Sequence, residues 1–422
     1  MAERRLRRRG IPGRIDGRRR GTVTRGPGRT AFLVTSYPGQ RGVAELRRQA
    51  EAGALPRRDY VELASRFPVD VIDTEYLSTR ATAVGRWLAT RVGIPVAQVC
   101  EALLRGAAYD SVWAWSDRTG LPLALVRKLT GSRRDLVLVS AWLSRPKKAV
   151  FLRPMGVHSH IRAIVSSSRA QLDIAADRLS VPADKLHFAP WPVDDRFWTP
   201  QSRRPDNVIC AVGMEARDYS TLLEAVRDSD LDVDVTVAVG TVVFSAGVIA
   251  RDDTGGPDPF GLLRRTFGYR FYRRWTEELA GPGLPGNVSV LQQLDPVQLR
   301  DLYARSRFVV VPLQDVDSDN GITTITEAMA MGKAVIVSRS RGQVDVIEDG
   351  KQGIYVPPYD AGALRSAIQH LLAHPEEAAR MGREGRALVE RRHALDLHLE
   401  RIAALMEAGT APTAAPPSAR RA

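Results

Sequence analysis

The sequence predicts an α/β protein made of two doubly wound, Rossmann-like halves, and three observations predict it. Short apolar runs rich in β-branched residues recur along the chain, at Ala31–Ser36, Val69–Thr74, Ser111–Ser116, Asp135–Ala141, Asn207–Gly213, Asp232–Gly240, Asn287–Gln293, Arg307–Leu313 and Lys333–Ser338. Unbroken runs of this kind suit parallel strands covered on both faces. Helical patterns alternate with them through short connections, as βαβ units require. The alternation also begins afresh at Asn207, after the polar, proline-bearing stretch Trp198–Asp206, which reads as a linker.

The 422 residues suffice for two domains of ordinary size. The expected divisions are an arginine-rich arm over 1–29, a first half over 30–198, a second half over 207–385, closing helices over 386–407 and a low-complexity tail over 408–422. The formal charge of +13 is unevenly placed: residues 1–29 hold eleven arginines against Glu3 and Asp16. The body between arm and tail is close to neutral. An arm of Arg, Gly and Pro has too few apolar residues to fold. It is read either as a solvated extension or as a weak peripheral contact with an anionic membrane face. No nucleic-acid-binding module accompanies it, so no specific nucleic acid is expected. No apolar run approaches the roughly 18 residues of a membrane span. No apolar segment follows the N-terminal arginines as a secretory leader would require. Cys100 and Cys210 lack metal-ligand spacing, and a reducing cytoplasm is the expected location. Nothing in the sequence specifies an oligomeric state.

Within the first half, Tyr37–Gly42 is a turn after the first strand, and Gly39 and Gly42 allow a substrate to come close. Val43–Ala52, Tyr60–Phe67, Ala81–Val92 and Gly120–Leu129 read as helices. Asp117 sits at the carboxyl end of a strand, where it either holds a hydroxyl of a ligand or caps the next helix. Ile161–Pro200 reads as a strand ending in serines, a helix, a proline turn, a strand and a proline-rich exit.

The second half opens on Asn207–Gly213, followed by Met214, Arg217 and a helix at Ser220–Asp228. Thr241–Pro285 breaks the rhythm and contains the basic aromatic piece Phe267–Trp275, read as a surface helix. Asp295 and Pro296 start a helix as N-cap and N1 residues. Asp315–Ser338 is the most informative stretch: a polar loop, a helix from about Ile322 to Met331, a stop at Gly332 and a strand. Beyond it come a short helix at Gly342–Glu348, a strand at Gln352–Pro358, a helix capped by Asp360, and a last amphipathic helix over Ala394–Glu407 through Leu395, Leu399, Ile402 and Leu405.

Ligands of open α/β sheets bind beyond the carboxyl ends of strands, and helix N-termini there favour phosphate. Gly321 lets the backbone approach such a ligand. Asp319 and Glu327 bracket the helix start, and ionised carboxylates accept hydrogen bonds from sugar hydroxyls. Thr324-x-x-Glu327 is also a capping box, in which Glu327 would only tie off the helix.

Asp319, seven residues, Glu327, Ala328-Met329-Ala330 and Gly332 resemble the donor-binding signature of the large retaining family of GT-B glycosyltransferases, with aspartate where glutamate is more usual. Pro190, Val193, Asp194, Phe197 and Pro200 resemble the run that ends that family's first domain. The resemblance implies two Rossmann-like domains facing across a cleft, with the last helix crossing back onto the first. It implies sugar transfer from a nucleotide diphosphate sugar to a small-molecule, glycan or lipid-linked acceptor, with retention of configuration and no essential metal or other cofactor. It assigns sugar hydroxyls to Asp319 and ribose hydroxyls to Glu327. The diphosphate falls to Gly213, Arg217, Asn320, Gly321, Ile322, Thr323 and Thr324, and the acceptor side to Gly39, Gly42 and Asp117. Gln292, Gln293 and Leu294 fall near the nucleotide base. Met214 stands where the family carries its first phosphate-binding cation. The leaving phosphate is expected to take the acceptor's proton, so no protein base is demanded. Two other readings stay open: a nucleotide-sugar epimerase of the same fold, and a nucleotide-sugar-binding protein with a degenerate site. The Asp-x-Asp pairs Asp315/Asp317 and Asp317/Asp319 also suggest a divalent ion, but loop solvation is the reading preferred here.

Overall fold

The structure is a computed structural model that describes residues 29–34, 42–140, 142–227, 231–241, 279 and 283–410. Gly39, most of the N-terminal arm, the basic aromatic piece at 267–275 and the tail beyond 410 lie outside the described residues. Among the described residues no helix is long and apolar enough to cross a membrane.

The first six strands are β1 (Thr30–Leu33), β2 (Val69–Ile72), β3 (Ser111–Ala114), β4 (Asp135–Val139), β5 (Ala163–Ser166) and β6 (Leu186–Phe188). They form one parallel sheet in the order β2-β1-β3-β4-β5-β6. The next six are β7 (Val208–Val212), β8 (Asp234–Thr241), β9 (Val288–Leu294), β10 (Val309–Val311), β11 (Val335–Ser338) and β12 (Gly353–Val356). These form a second parallel sheet in the order β12-β11-β10-β7-β8-β9. Strand order reverses between β1 and β3 in the first sheet and between β7 and β10 in the second. A crevice opens at such a reversal, because the flanking helices leave in opposite directions.

The strands read as continuous apolar runs because both faces are covered. In β7, Ile209 and Ala211 join one core cluster while Cys210 and Val212 join the cluster on the opposite face. In β3, Val112 and Ala114 point one way and the fully buried Trp113 the other.

In the first half the helices are α1 (Val43–Glu51), α2 (Asp59–Arg66), α3 (Thr74–Thr79), α4 (Ala83–Arg91), α5 (Ile94–Leu104), α6 (Asp117–Leu129), α7 (Pro146–Leu152) and α8 (Arg169–Asp177). In the second half they are α9 (Tyr219–Val226), α10 (Pro296–Arg305), α11 (Ile322–Ala330), α12 (Ala361–Ala373) and α13 (Pro375–Leu388). The closing helix α14 (Leu395–Thr410) returns to the first sheet. Its Leu395, Leu399, Ile402 and Met406 pack in one cluster with Phe32, Trp113 and Val165. The return is pinned by the backbone, since Val193 N–H donates to His393 O at 2.9 Å and Leu395 N–H to Val193 O at 3.0 Å. Arg57 also binds both Asp194 and Asp396, at 2.8 and 3.0 Å.

One expected element is absent. Residues 342–348 form turns and bends rather than a helix. Gly342 lies so close to the loop before α11 that an added Cβ would stand 2.1 Å from Ser318 O. Its N–H donates to Val316 O at 2.9 Å. Gly342 and the Gln343 side chain thus tie the start of the segment to that loop.

Candidate functional site

The loops that follow β7 and β10 meet at the strand-order reversal of the second sheet. They are zipped together by backbone bonds, Asp218 N–H to Pro312 O at 3.0 Å and Gln314 N–H to Ala216 O at 2.9 Å. Gly213 leaves β7 with φ +120°. A Cβ there would lie 2.2 Å from Nη2 of Arg217, so the guanidinium occupies space that only glycine leaves free. Arg217 is buried at 5% exposure. It donates to Val212 O at 2.9 Å, to Glu215 O at 3.0 Å and to Thr324 Oγ1 at 3.0 Å. The surface ion pair that its neighbours Glu215 and Asp218 suggest is therefore not formed. Asp218 instead caps α9 through Thr221. Met214, part-buried, packs against the apolar core and brings no charge to the loop.

Gly321, at φ +91°, is the N-cap of α11 and contributes no side-chain bond. The capping-box reading of Thr324 and Glu327 fails for this reason: both lie inside the helix. Ile322 N–H is taken by Asp319 O at 3.1 Å, whereas the N–H groups of Thr323 and Thr324 have no acceptor among the described residues. Two donors at a helix start, beside a buried guanidinium, are the elements of an anion site. Thr323 is exposed and Ile322 buried. Asn320 turns its amide to Ser318 Oγ at 2.6 Å.

Asp319 is 6% exposed. Burial pushes its carboxyl up to about 6, although the hydroxyl of Ser167 donates to it. Glu327, partly buried, accepts from Tyr303 Oη at 3.1 Å, and desolvation pushes it up to about 8. Burial there favours the protonated carboxyl at neutral pH. Tyr303 is fixed in turn by Trp198, whose ring meets it edge-on with centroids 5.7 Å apart.

Several residues at this site carried no sequence signal of their own. Ser167 follows β5 in the first half and reaches Asp319 across the gap between the sheets. Gln171 of α8 donates to Asp317 O at 2.6 Å. Gln343 donates to both Asp319 O and Asn320 O at 3.1 Å. The serine run at 166–168 was the one visible hint, and Ser168 is the residue that caps α8. Asp315 and Asp317 are ion-paired with Arg341, each at 3.3 Å.

The candidates of the first half flank the other reversal point, between β1 and β3. Asp117 opens α6 and is ion-paired with Lys148 at 2.6 Å. Gly42 is the N-cap of α1, and its missing side chain makes room for the Glu75 carboxylate. Gln292, Gln293 and Leu294 end the edge strand β9, with Gln293 in the left-handed region at φ +56°.

Residues 272–388 match the family model of Glycosyl transferases group 1. The trehalose synthase of Pyrococcus horikoshii is 30% identical over 162 residues, 38% of this chain and 35% of that protein. An MMP alpha-(1->4)-mannosyltransferase of Mycolicibacterium hassiacum is 26% identical over 225 residues, 52% of this chain and 47% of that protein. The chain thus spans less than half the length of these curated relatives. Among solved structures, Anabaena HepE in complex with UDP-glucose matches with a TM-score of 0.63 at 15% identity, over 90% of this chain and 100% of that one. The sucrose-phosphate synthase of Thermosynechococcus elongatus matches with a TM-score of 0.61 at 16% identity, over 90% and 98%. Residues 272–388 are thus similar to the group 1 glycosyl transferases, and the chain as a whole shares the two-sheet fold of these solved structures.

Proposed function

We propose that this protein is a retaining glycosyltransferase that moves a sugar from a nucleoside diphosphate sugar to an acceptor bound on the first sheet. One observation carries the reading: Asp319 stands just before α11 and Glu327 in its second turn, at the reversal point of the second sheet, and the buried Arg217 lies against that helix at Thr324. The reaction needs charge on the departing diphosphate to be stabilised while positive charge grows on the sugar. The N–H groups of Thr323 and Thr324 and the nearby guanidinium serve the first need. Asp319 holds sugar hydroxyls, and Glu327 accepts from the ribose. With these donors on the diphosphate, no resident metal is required. The names of the relatives support the donor class: one mannosyltransferase is GDP-mannose-dependent, and HepE is described with UDP and with UDP-glucose. Gly42 and Asp117, at the other reversal point, are the proposed acceptor side. Both cysteines are free, in keeping with the expected cytoplasmic location.

The test is incubation with UDP-, GDP-, ADP- and TDP-sugars, alone and with candidate acceptors, followed by mass spectrometry. Transfer with release of nucleoside diphosphate is expected, abolished by Glu327→Ala and unaffected by a chelator. Donor interconversion without acceptor would instead make the protein an epimerase. Binding without any turnover would leave a degenerate site, the reading that Met214 favours.

A further inference from the structure

His370 and His374 stand four residues apart at the end of α12, and Glu377 lies in the first turn of α13. One ligand atom from each lies within 4.8 Å of the others. His370 Nε2 and Glu377 Oε2 are 2.8 Å apart, and the two imidazole centroids are 4.4 Å apart. His374 Nδ1 is 2.8 Å from His370 O. A carbonyl only accepts, so Nδ1 holds the proton and Nε2 keeps its lone pair for a ligand. A bond of this kind is what usually orients a metal-binding imidazole.

Two imidazoles and a carboxylate, with water in a fourth position, make a donor set for zinc or a similar divalent ion. A tetrahedral zinc about 2.0–2.1 Å from its nitrogen ligands needs ligand atoms roughly 3.4 Å apart. The 2.8 Å between His370 Nε2 and Glu377 Oε2 is somewhat shorter than that, all three ligand atoms lie within 4.8 Å of one another, and small side-chain rotations would set the spacing. The field also suits a cation. The negative end of the α12 dipole faces the cluster, and Glu376 and Glu377 offset the positive end of α13. The nearby Arg380 approaches Glu377 through Oε1, at 3.7 Å, and leaves Oε2 toward His370.

We propose that His370, His374 and Glu377 form a surface site for zinc or a similar divalent transition-metal ion, which ties the end of α12 to the start of α13. The tie bears on the rest of the second half because α13 lies on α11 and the turn after it. A Cβ at Gly382 would meet Gly332 O at 2.0 Å, and one at Gly385 would meet Met329 Cγ at 3.0 Å. None of the three ligands belongs to the proposed donor machinery, so the site stands or falls independently of the function above.

Untagged protein, stripped with a chelator, is titrated with zinc against a chromogenic zinc indicator, and its thermal midpoint is followed in parallel. One retained equivalent and a rise in midpoint are expected, since an ion bound only by the folded state stabilises it. His374→Ala and Glu377→Gln are expected to weaken retention about tenfold or more, to abolish the rise and to leave the metal-free midpoint unchanged. His160→Ala is expected to behave as the unaltered chain. The proposal is overturned if the unaltered protein retains no zinc, or if the double variant His370→Ala/His374→Ala still retains it and still shows the rise.

Discussion

The hydroxyl of Ser167, on the first half of the chain, donates to the carboxylate of Asp319, on the second. The two residues are 152 positions apart, and this is a polar side-chain contact between the halves at the site itself. A carboxylate offers about four lone-pair positions, so Asp319 can keep this bond and still accept from a sugar. The contact then sets the direction of the carboxylate and joins closure of the halves to donor placement. Ser167→Ala removes a hydrogen bond to a charged acceptor, a class worth about 1.5–3 kcal/mol. The expected outcome is a fall in kcat/KM of roughly tenfold or more, with Ser167→Thr restoring most of it. Unchanged kinetics in the alanine variant would show that the contact does not survive donor binding.

Glu327 gives the site a pH dependence whose sign follows from its surroundings. Burial holds its carboxyl up to about 8 in the free protein. Ribose hydroxyls that donate to it favour the ionised form and lower that value in the complex. Binding then releases a proton, and the affinity for a nucleotide sugar tightens as pH rises from 7 towards 8 and levels off above. Asp319, pushed up to about 6, titrates below this window. Calorimetry in two buffers of different ionisation enthalpy reads the proton release directly. Glu327→Gln is expected to bind with a flat profile over the same range; a flat profile in the unaltered protein would remove Glu327 from the ribose.

The same carboxyl limits stability. Its folded value lies above the ordinary 4.5, so the folded state binds the proton more tightly than the unfolded chain does. Its contribution is most favourable below about pH 4.5 and is progressively lost as pH rises to about 8. Glu327→Gln carries no charge to bury, and its thermal midpoint is expected to exceed that of the unaltered protein by a few degrees at pH 8.5 and by less at pH 5.5. About 1 kcal/mol moves the midpoint of a domain of this size by roughly 2–4 °C. A stabilised but inactive variant is the pattern expected of a residue kept for function. Equal midpoints at both pH values would show that the carboxyl is solvated.

Much of the fold was legible because parallel strands covered on both faces leave an unmistakable trace. Val309–Val311 and Val335–Ser338 are apolar at every position except the last serine. The loop before α11 was legible through Asp319, Gly321 and Glu327, whose spacing is local. What supports that loop was not. Gly342 is fixed by the backbone of Ser318, Ser167 by a carboxylate on the other half, and Tyr303 by Glu327 on a neighbouring helix. These are tertiary contacts between distant segments, and no periodicity announces them. Arg217 shows the same limit. Glu215 and Asp218 beside it offer a surface pair, and only the meeting of the loops after β7 and β10 holds the guanidinium inward. The helices α3, α5 and α7 were missed outright, α3 and α7 being six and seven residues long and α5 starting on Ile94-Pro95 with an apolar composition that hides its period.

The seat of Arg217 depends on the missing side chain of Gly213. Gly213 is at φ +120°, where an L side chain is strained, and a Cβ there would stand 2.2 Å from the guanidinium. Gly213→Ala must therefore either distort the end of β7 or expel Arg217 from Thr324. The strain alone is of order 1–3 kcal/mol, so the thermal midpoint falls. Because the displaced cation is the one proposed for the diphosphate, affinity for a nucleotide sugar falls as well, by about tenfold or more. Arg217→Lys separates the two effects. A lysine keeps the charge but lacks the planar fork that serves Val212 O, Glu215 O and Thr324 Oγ1 together. It is expected to lose donor affinity by a similar factor without the backbone strain. Isothermal calorimetry with a nucleotide sugar, read beside the melting curves of both variants, decides the point. If both variants bind as tightly as the unaltered chain, the buried guanidinium holds the loops together and takes no part in gripping phosphate.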